Sequence, residues 1–264
     1  MWLSHLKSAL ALLYFLAAYV FIFLPVAVLA LFSFQDSRLP IMPFTGPTLK
    51  WYEAVLADSR LIDAMVNSLL VATISSVVAV ILGFLSAYAL ARYHLPAKGL
   101  QRALLTAPLT VSYLIIALGL LIMFNTLGLS LSLLTVGIGH IVINTPLCFA
   151  IIYSQMGDHQ INVERAARDL GASELQTLWL VTVPGMMPPI LAAFFLSVTF
   201  SWDEFIISFL LSRFDVTLPV EIWNMLRSGL NPKTNAAGTL VFLISIVLVL
   251  LAEVLIFRRK NKPS

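Results

Sequence analysis

The 264-residue sequence is 60% apolar and only 11% charged, with a mean hydropathy of +0.96 and a formal net charge of +3. A soluble domain carries about 25% charged residues, so this composition excludes a water-soluble globule and points to an integral membrane protein. A lone Cys148 excludes an internal disulfide, no Cys/His metal spacing occurs, and the basic excess reads as loop charge rather than a nucleic-acid surface.

Long continuous apolar runs, not the short alternating segments of a barrel, predict spanning helices of about 20 residues each. Six follow in chain order: Ala9–Phe34, Val66–Ala91, Ala103–Phe124, Leu131–Gln155, Gly185–Leu211 and Ala236–Phe257. The first run, about 25 residues, exceeds the 7–15 of a signal-peptide core and reads as a retained span. Residues 35–65 hold Pro40, Pro43, Gly46 and Pro47 and then a helix-like stretch around Trp51–Ala57. Residues 212–235 hold Pro219, an amphipathic run Val220–Leu226, Gly229 and Pro232. Trp51, Tyr52 and Trp223 suit the membrane–water interface. Pro108, Pro146, Pro188 and Pro189 are expected to kink or break spans, and His140 and Asn144, at i and i+4, to make interhelical hydrogen bonds.

Loop charge sets the orientation. With the N-terminus inside, inside segments carry Lys7, then Arg92, Lys98 and Arg102, then Arg165 and Arg168, then Arg258, Arg259, Lys260 and Lys262. The segment Arg92–Arg102 has no acid. Both termini and residues 156–184 are therefore expected in the cytoplasm, and residues 35–65 and 212–235 outside. Glu253 is expected to pair with Arg258 or Arg259, or to reach the interface.

Asp158–Pro184 is a polar island between membrane-length runs. Val163–Leu170 predicts a short helix stopped at Gly171, a left-handed terminator. Ser173 is a helix N-cap candidate with Gln176 completing a capping box, and Leu175, Leu178, Trp179 and Thr182 fall on one helical stripe. Pro184 and Gly185 end the second helix. The small residues Ala166, Ala167 and Gly171 permit close approach of another surface; a packed hairpin without a partner is the alternative.

Within the fifth run, Trp202, Asp203 and Glu204 are adjacent. A charge at the bilayer centre costs about 2.5–3.5 kcal/mol on insertion scales, and neighbouring side chains on a helix diverge by about 100°. Two readings stand. Asp203 lines a translocation path and, with Trp202, attracts a cationic amine. Alternatively the acids pair with Arg213 or a partner subunit and hold a gate.

The island resembles the loop of ABC-importer permeases in which Glu-Ala-Ala is followed by Gly and later by Ile-x-Leu-Pro. Ala166, Ala167, Gly171 and Pro184 fall at matching places, with nine residues between Gly171 and Val181. Arg165 stands where the family has Glu, the acid lying one place earlier at Glu164, and Val181 and Val183 replace Ile and Leu. From Asn67 to Glu253 the order of spans and motifs is similar to the PotC-type permeases of spermidine/putrescine importers. AARDLGAS, the Ser201–Glu204 tetrapeptide, Leu218-Pro219, Asn231-Pro232 and Asn235-Ala236 match in place.

The resemblance implies an all-α fold of six transmembrane helices of the type I importer kind, a single permease domain over 1–264, in a bacterial inner membrane. It also implies that the helix–turn–helix couples to an ATPase through Glu164, Arg165, Ala166, Ala167, Asp169, Gly171, Ser173 and Pro184, with Arg165 shifting the contact toward Glu164 and the Ala166–Gly171 surface. Implied partners are a homologous permease in a heterodimer, two ATP-binding subunits and a periplasmic solute-binding protein. The chain lacks G-x-x-x-x-G-K-[ST], G-x-S-x-G and H-E-x-x-H, so no enzyme activity, metal or cofactor is expected and ATP hydrolysis belongs to another polypeptide. Two other classes compete: an ion-coupled secondary transporter using Asp203 or Glu204, and an intramembrane enzyme, for which the sequence offers no paired catalytic constellation.

Overall fold

The computed structural model describes residues 2–229 and 231–260. The basic tail, and with it the expected pairing of Glu253 with Arg258 or Arg259, lies outside the described side chains. Every regular element among the described residues is helical: α1 Trp2–Ser33, α2 Lys50–Leu56, α3 Ser59–Arg92, α4 Lys98–Thr106, α5 Tyr113–Thr126, α6 Leu133–Ser154, α7 Asp158–Asp169, α8 Glu174–Thr177, α9 Val183–Gly185, α10 Met187–Trp202, α11 Ile206–Leu211, α12 Leu218–Ser228 and α13 Pro232–Lys260.

Four helices are long and apolar enough to cross a membrane: Leu10–Ser33, Ser59–Arg92, Leu133–Ser154 and Pro232–Leu250. Two bent pairs, Lys98–Thr110 with Tyr113–Thr126 at 101° and Glu174–Gly185 with Met187–Trp202 at 66°, bring the number to six when each pair counts as one span. The third run, Ala103–Phe124, is thus a broken span, as Pro108 within it predicts. Pro108 draws the end of α4 into a 3-10 turn, Ala107–Thr110, and Val111 is extended. The remaining α5 has 14 residues, about 21 Å at 1.5 Å per residue, short of the roughly 30 Å hydrocarbon core. Pro146 sits inside an unbroken α6, whereas Pro188 and Pro189 occupy the first turn of α10, where no intrahelical N–H bond is lost.

The chain forms two compact units, Met1–Ile62 with Ile222–Ile244 and Asp63–Glu221 with Ser245–Ser264. In the first, the loop after α1 winds around the buried Gln35 side chain. Its amide donates to Ser37 Oγ and the Ile41 carbonyl, both at 3.0 Å, and its oxygen accepts from Thr45 N–H at 3.1 Å. Asp58 accepts from Arg60 N–H at the start of α3 and pairs with Lys233 at 2.6 Å; the Lys233 hydrogen bond holds its carboxyl below the usual value of 3.8.

In the second unit, α3, α6 and α10 share a core of Ala79, Phe84, Ala87, Cys148, Phe149, Ile152 and Ala193. A further cluster joins Ala117 and Phe124 of α5, Val136 and Ile143 of α6, and Ile207 and Leu211 of α11. At Gly83 α3 packs tightly on α6: an added Cβ would lie 2.8 Å from both Cys148 Cβ and the Phe149 backbone nitrogen. Backbone cannot give way as a side-chain tip can. Gly83→Ala is therefore expected to destabilise the solubilised protein by about 1–3 kcal/mol, read as a lowered thermal midpoint. Gly119→Ala, with open space around its Cβ, is the control and should lose nothing.

Candidate functional site

The polar island folds as the local rules require. Gly171 adopts φ +91°, and the bonds Gly171 N–H to Arg168 O (2.8 Å) and Ala172 N–H to Ala167 O (3.1 Å) close the end of α7. Ser173 and Gln176 form the reciprocal capping box, Ser173 N–H to Gln176 Oε1 at 2.9 Å and Gln176 N–H to Ser173 Oγ at 3.3 Å. The first helix is longer than Val163–Leu170, beginning at Asp158, whose charge suits a helix N-terminus.

The second helix departs from expectation. After α8 it widens into a π-helical turn, Leu178–Thr182, in which Val183 N–H bonds the Leu178 carbonyl. Pro184 supplies no N–H, so ordinary i→i−4 bonding cannot continue through it. The widened turn displaces the expected stripe. Thr177 and Thr182 are buried and Leu178 is half-buried, while Leu175 and Trp179 stand exposed. The helix then runs through Pro184 to Gly185, where the missing side chain leaves room for the buried Gln160 of α7, whose amide oxygen would be 3.2 Å from an added Cβ.

One interaction ties this module to the spans. Arg92, the last residue of α3, donates from Nε to Glu164 Oε2 at 2.6 Å and from Nη2 to Oε1 at 2.9 Å. The Thr182 hydroxyl donates to Glu164 Oε1 at 3.0 Å, with the Thr177 carbonyl as a second acceptor at 3.3 Å. Glu164 is 1% exposed. The Glu164 carboxylate faces inward, held by Arg92 and Thr182, rather than standing on the surface. Arg165, Ala166, Asp169, Gly171, Ser173 and Pro184 are exposed and Ala167 half-buried.

The fifth run is not one helix. The α10 helix ends at Trp202, Asp203 is its C-cap, and α11 restarts at Ile206. Glu204 is the reason the chain restarts there. Its carboxylate accepts from the N–H groups of Ile206 (3.0 Å), Ile207 (2.8 Å) and Ser208 (3.3 Å), satisfying the orphan donors of the new helix. At the other end of α11, the Thr135 hydroxyl donates to the Leu211 carbonyl at 2.8 Å.

A buried polar seam backs the break. His140 Nδ1 lies 2.5 Å from Ser201 Oγ and Nε2 3.1 Å from Ser208 Oγ; Ser201 Oγ lies 3.3 Å from Ser75 Oγ. The His140 ring is 3.8 Å from Glu204 Oε2. His140 thus makes the interhelical bonds expected of it, whereas the Asn144 amide nitrogen has no partner among the described residues.

The three residues expected to line a path separate. Asp203 is exposed, Glu204 is 6% exposed and used as a cap, and Trp202 is 1% exposed, packed among the helices. Arg213 does not pair with either acid; its guanidinium lies over the Phe214 ring, 5.1 Å from the centroid. The pairings missed from sequence, Arg92 with Glu164 and His140 with Ser201 and Ser208, join residues 61–72 positions apart. Ser201 and Ser208, two turns apart, were the available signal.

The fold and these sites define a multi-span helical membrane transport subunit with a polar module attached to its span ends. The chain belongs to the family of binding-protein-dependent transport system inner membrane components, whose model matches residues 79–261. It is 32% identical over 249 residues to the spermidine/putrescine transport system permease protein PotC of Escherichia coli K12, covering 94% of each chain. It is also 30% identical to the putrescine transport system permease protein PotI of the same organism, covering 90% of this chain and 88% of that one. Among solved structures it resembles a bacterial ABC transporter involved in import of the acidic polysaccharide alginate, at TM-score 0.69 and 18% identity over 96% of each chain. A second alginate transporter structure, in complex with an oligosaccharide-bound periplasmic protein, gives TM-score 0.71 and 17% identity over 99% of each chain; these two likenesses establish the fold.

Glu204→Ala strips three backbone donors of their acceptor in a buried site and is expected to cost about 1–3 kcal/mol. Glu204→Gln keeps an acceptor oxygen and should lose clearly less in thermal unfolding. Equal losses would contradict the capping role.

Proposed function

We propose that this chain is the membrane-spanning permease of an ATP-driven, binding-protein-dependent importer of polyamines such as spermidine or putrescine. The observation that carries the reading is the similarity to PotC along 94% of both chains. The chain assembles with a homologous permease, two ATP-hydrolysing subunits and a periplasmic binding protein. It sits in the inner membrane with both termini and the 156–184 module in the cytoplasm, and residues 35–65 and 212–235 in the periplasm.

Transport proceeds by alternating access. Closure of the ATPase subunits moves the module, and the Arg92–Glu164 bond passes that movement to α3. Asp203 supplies the chemistry for a cationic solute: an exposed carboxylate at the helix break, unpaired among the described residues, attracts an amine. Glu204, committed to backbone N–H groups, serves the geometry of the break. That commitment takes Glu204 out of the ion-coupled alternative, which then rests on Asp203 alone. Trp202 joins the path only in a conformation that turns its ring outward.

The test is uptake of labelled putrescine and spermidine into proteoliposomes holding the complete transporter. Uptake is expected to require ATP and the binding protein, and Asp203→Asn to lower it about tenfold or more, the effect of losing one charge contact worth 1.4 kcal/mol. Uptake that survives ATP removal but not an uncoupler would establish the secondary-transporter reading. Rate and affinity untouched by Asp203→Asn would remove Asp203 from the path.

A further inference from the structure

Along its interface with α10 and α11, the α6 helix turns a polar side chain inward at nearly every helical turn: Thr135, His140, Asn144 and Cys148, none more than 2% exposed. Three of these rungs close on atoms across the interface. Thr135 donates to the Leu211 carbonyl at 2.8 Å, His140 bonds Ser201 and Ser208 at 2.5 and 3.1 Å, and the Cys148 thiol donates to the Ala193 carbonyl at 3.8 Å. The Asn144 rung does not close.

These contacts fix the register of two antiparallel helices. Four residues back along α6 from Cys148 and four forward along α10 from Ala193 lead to Asn144 and Ser197. Four more of each lead to His140 and Ser201, the next bonded pair. Side chains four apart share one helix face, so Asn144 and Ser197 face each other between two closed rungs. Ser197 is 0% exposed and its hydroxyl lies near the Cys148 thiol. Yet neither that oxygen nor the Asn144 amide nitrogen has a hydrogen-bond partner among the described residues. On α3, Ser75 stands level with Ser201 and Gly83 with Cys148. Midway between them is Ala79, 0% exposed, which brings a methyl group and no acceptor.

Buried polar atoms are almost always paired, and an orphaned amide or hydroxyl in a protein core is costly. Whatever answers this pair must lie between the two helices and bond both groups. A cation is refused by the amide N–H groups. An anion would stand without a counter-charge within the spans, since none of these rungs carries a cationic side chain. Water accepts and donates at once, so it serves the amide and the hydroxyl in whichever sense each presents its hydrogens.

We infer that a buried water molecule binds at the level of Asn144 and Ser197 and bridges α6 to α10, completing the ladder of polar rungs. The site is independent of the importer reading. Because α10 ends at the break that carries Asp203, this water is part of what keeps the break in register with α6.

The test has two arms, both on the full-length protein in nanodiscs. A map fine enough to show ordered waters is expected to hold a peak within hydrogen-bond distance of both Asn144 Nδ2 and Ser197 Oγ. In thermal unfolding, Ser197→Ala and Asn144→Leu each leave a polar group facing an apolar one and should lower the midpoint by about 2–4 °C. The double variant, which leaves nothing for a water to bond, should recover most of that loss. A map with no such peak, or with Asn144 bonded directly to Ser197, overturns the inference. Single variants as stable as wild type, or losses that simply add in the double variant, overturn it as well. The map of the wild-type protein decides the matter even where a variant fails to fold.

Discussion

The two-pronged bond between Arg92 and Glu164 is the constraint on which the working parts of this chain depend. It joins the last residue of the longest internal span to the middle of α7, and Thr182 brings the second helix of the module into the same contact. Both charged partners are buried, with side-chain exposures of 7% and 2%. Burying two charges is costly in itself, so such a pair adds little net stability. Its effect is on geometry. Leaving either charge alone is so unfavourable that the module has one seat against α3.

That seat explains the unusual second helix. Thr182, the last residue of the widened turn, reaches Glu164, and the chain continues through Pro184 and Gly185 to the 66° bend into α10. The module is thus fixed at one side to α3 through Arg92 and at the other to α10 through continuous chain. On the opposite stretch of α10, the break at Asp203 separates two acids that are neighbours in sequence. One is spent on restarting the backbone at α11, and the other stands free. The seam of Ser75, Ser201, His140 and Ser208 holds the break against α3 and α6 without using a permanent charge.

Features governed by local chemistry were legible in the sequence. Gly171 as a left-handed terminator and Ser173 with Gln176 as a capping box depend on residues within a few positions of each other, and they form as read. Long apolar runs marked α1, α3, α6 and α13. The breaks were not legible, because a hydropathy window averages over them. Nothing in the apolar count of Gly185–Leu211 reveals that Glu204 turns back to cap a new helix, and Pro108 marks a disruption without stating a 101° turn. Distant pairing was the other blind spot. Arg92 read as loop charge and Glu164 as a displaced docking acid, since their partnership spans 72 positions. Resemblance pointed to Glu164 as a docking acid, whereas its side chain is buried against Arg92.

The most direct test of this account is amide hydrogen exchange across α7 in the intact protein, comparing wild type with Glu164→Ala and with Arg92→Met/Glu164→Met. The account predicts that Glu164→Ala raises exchange throughout Asp158–Asp169 while α10 stays protected, and that the double substitution, which leaves no lone buried charge, recovers most of the protection. Wild-type protection of α7 in Glu164→Ala would contradict it, because the module would then be held in place by something other than this bond.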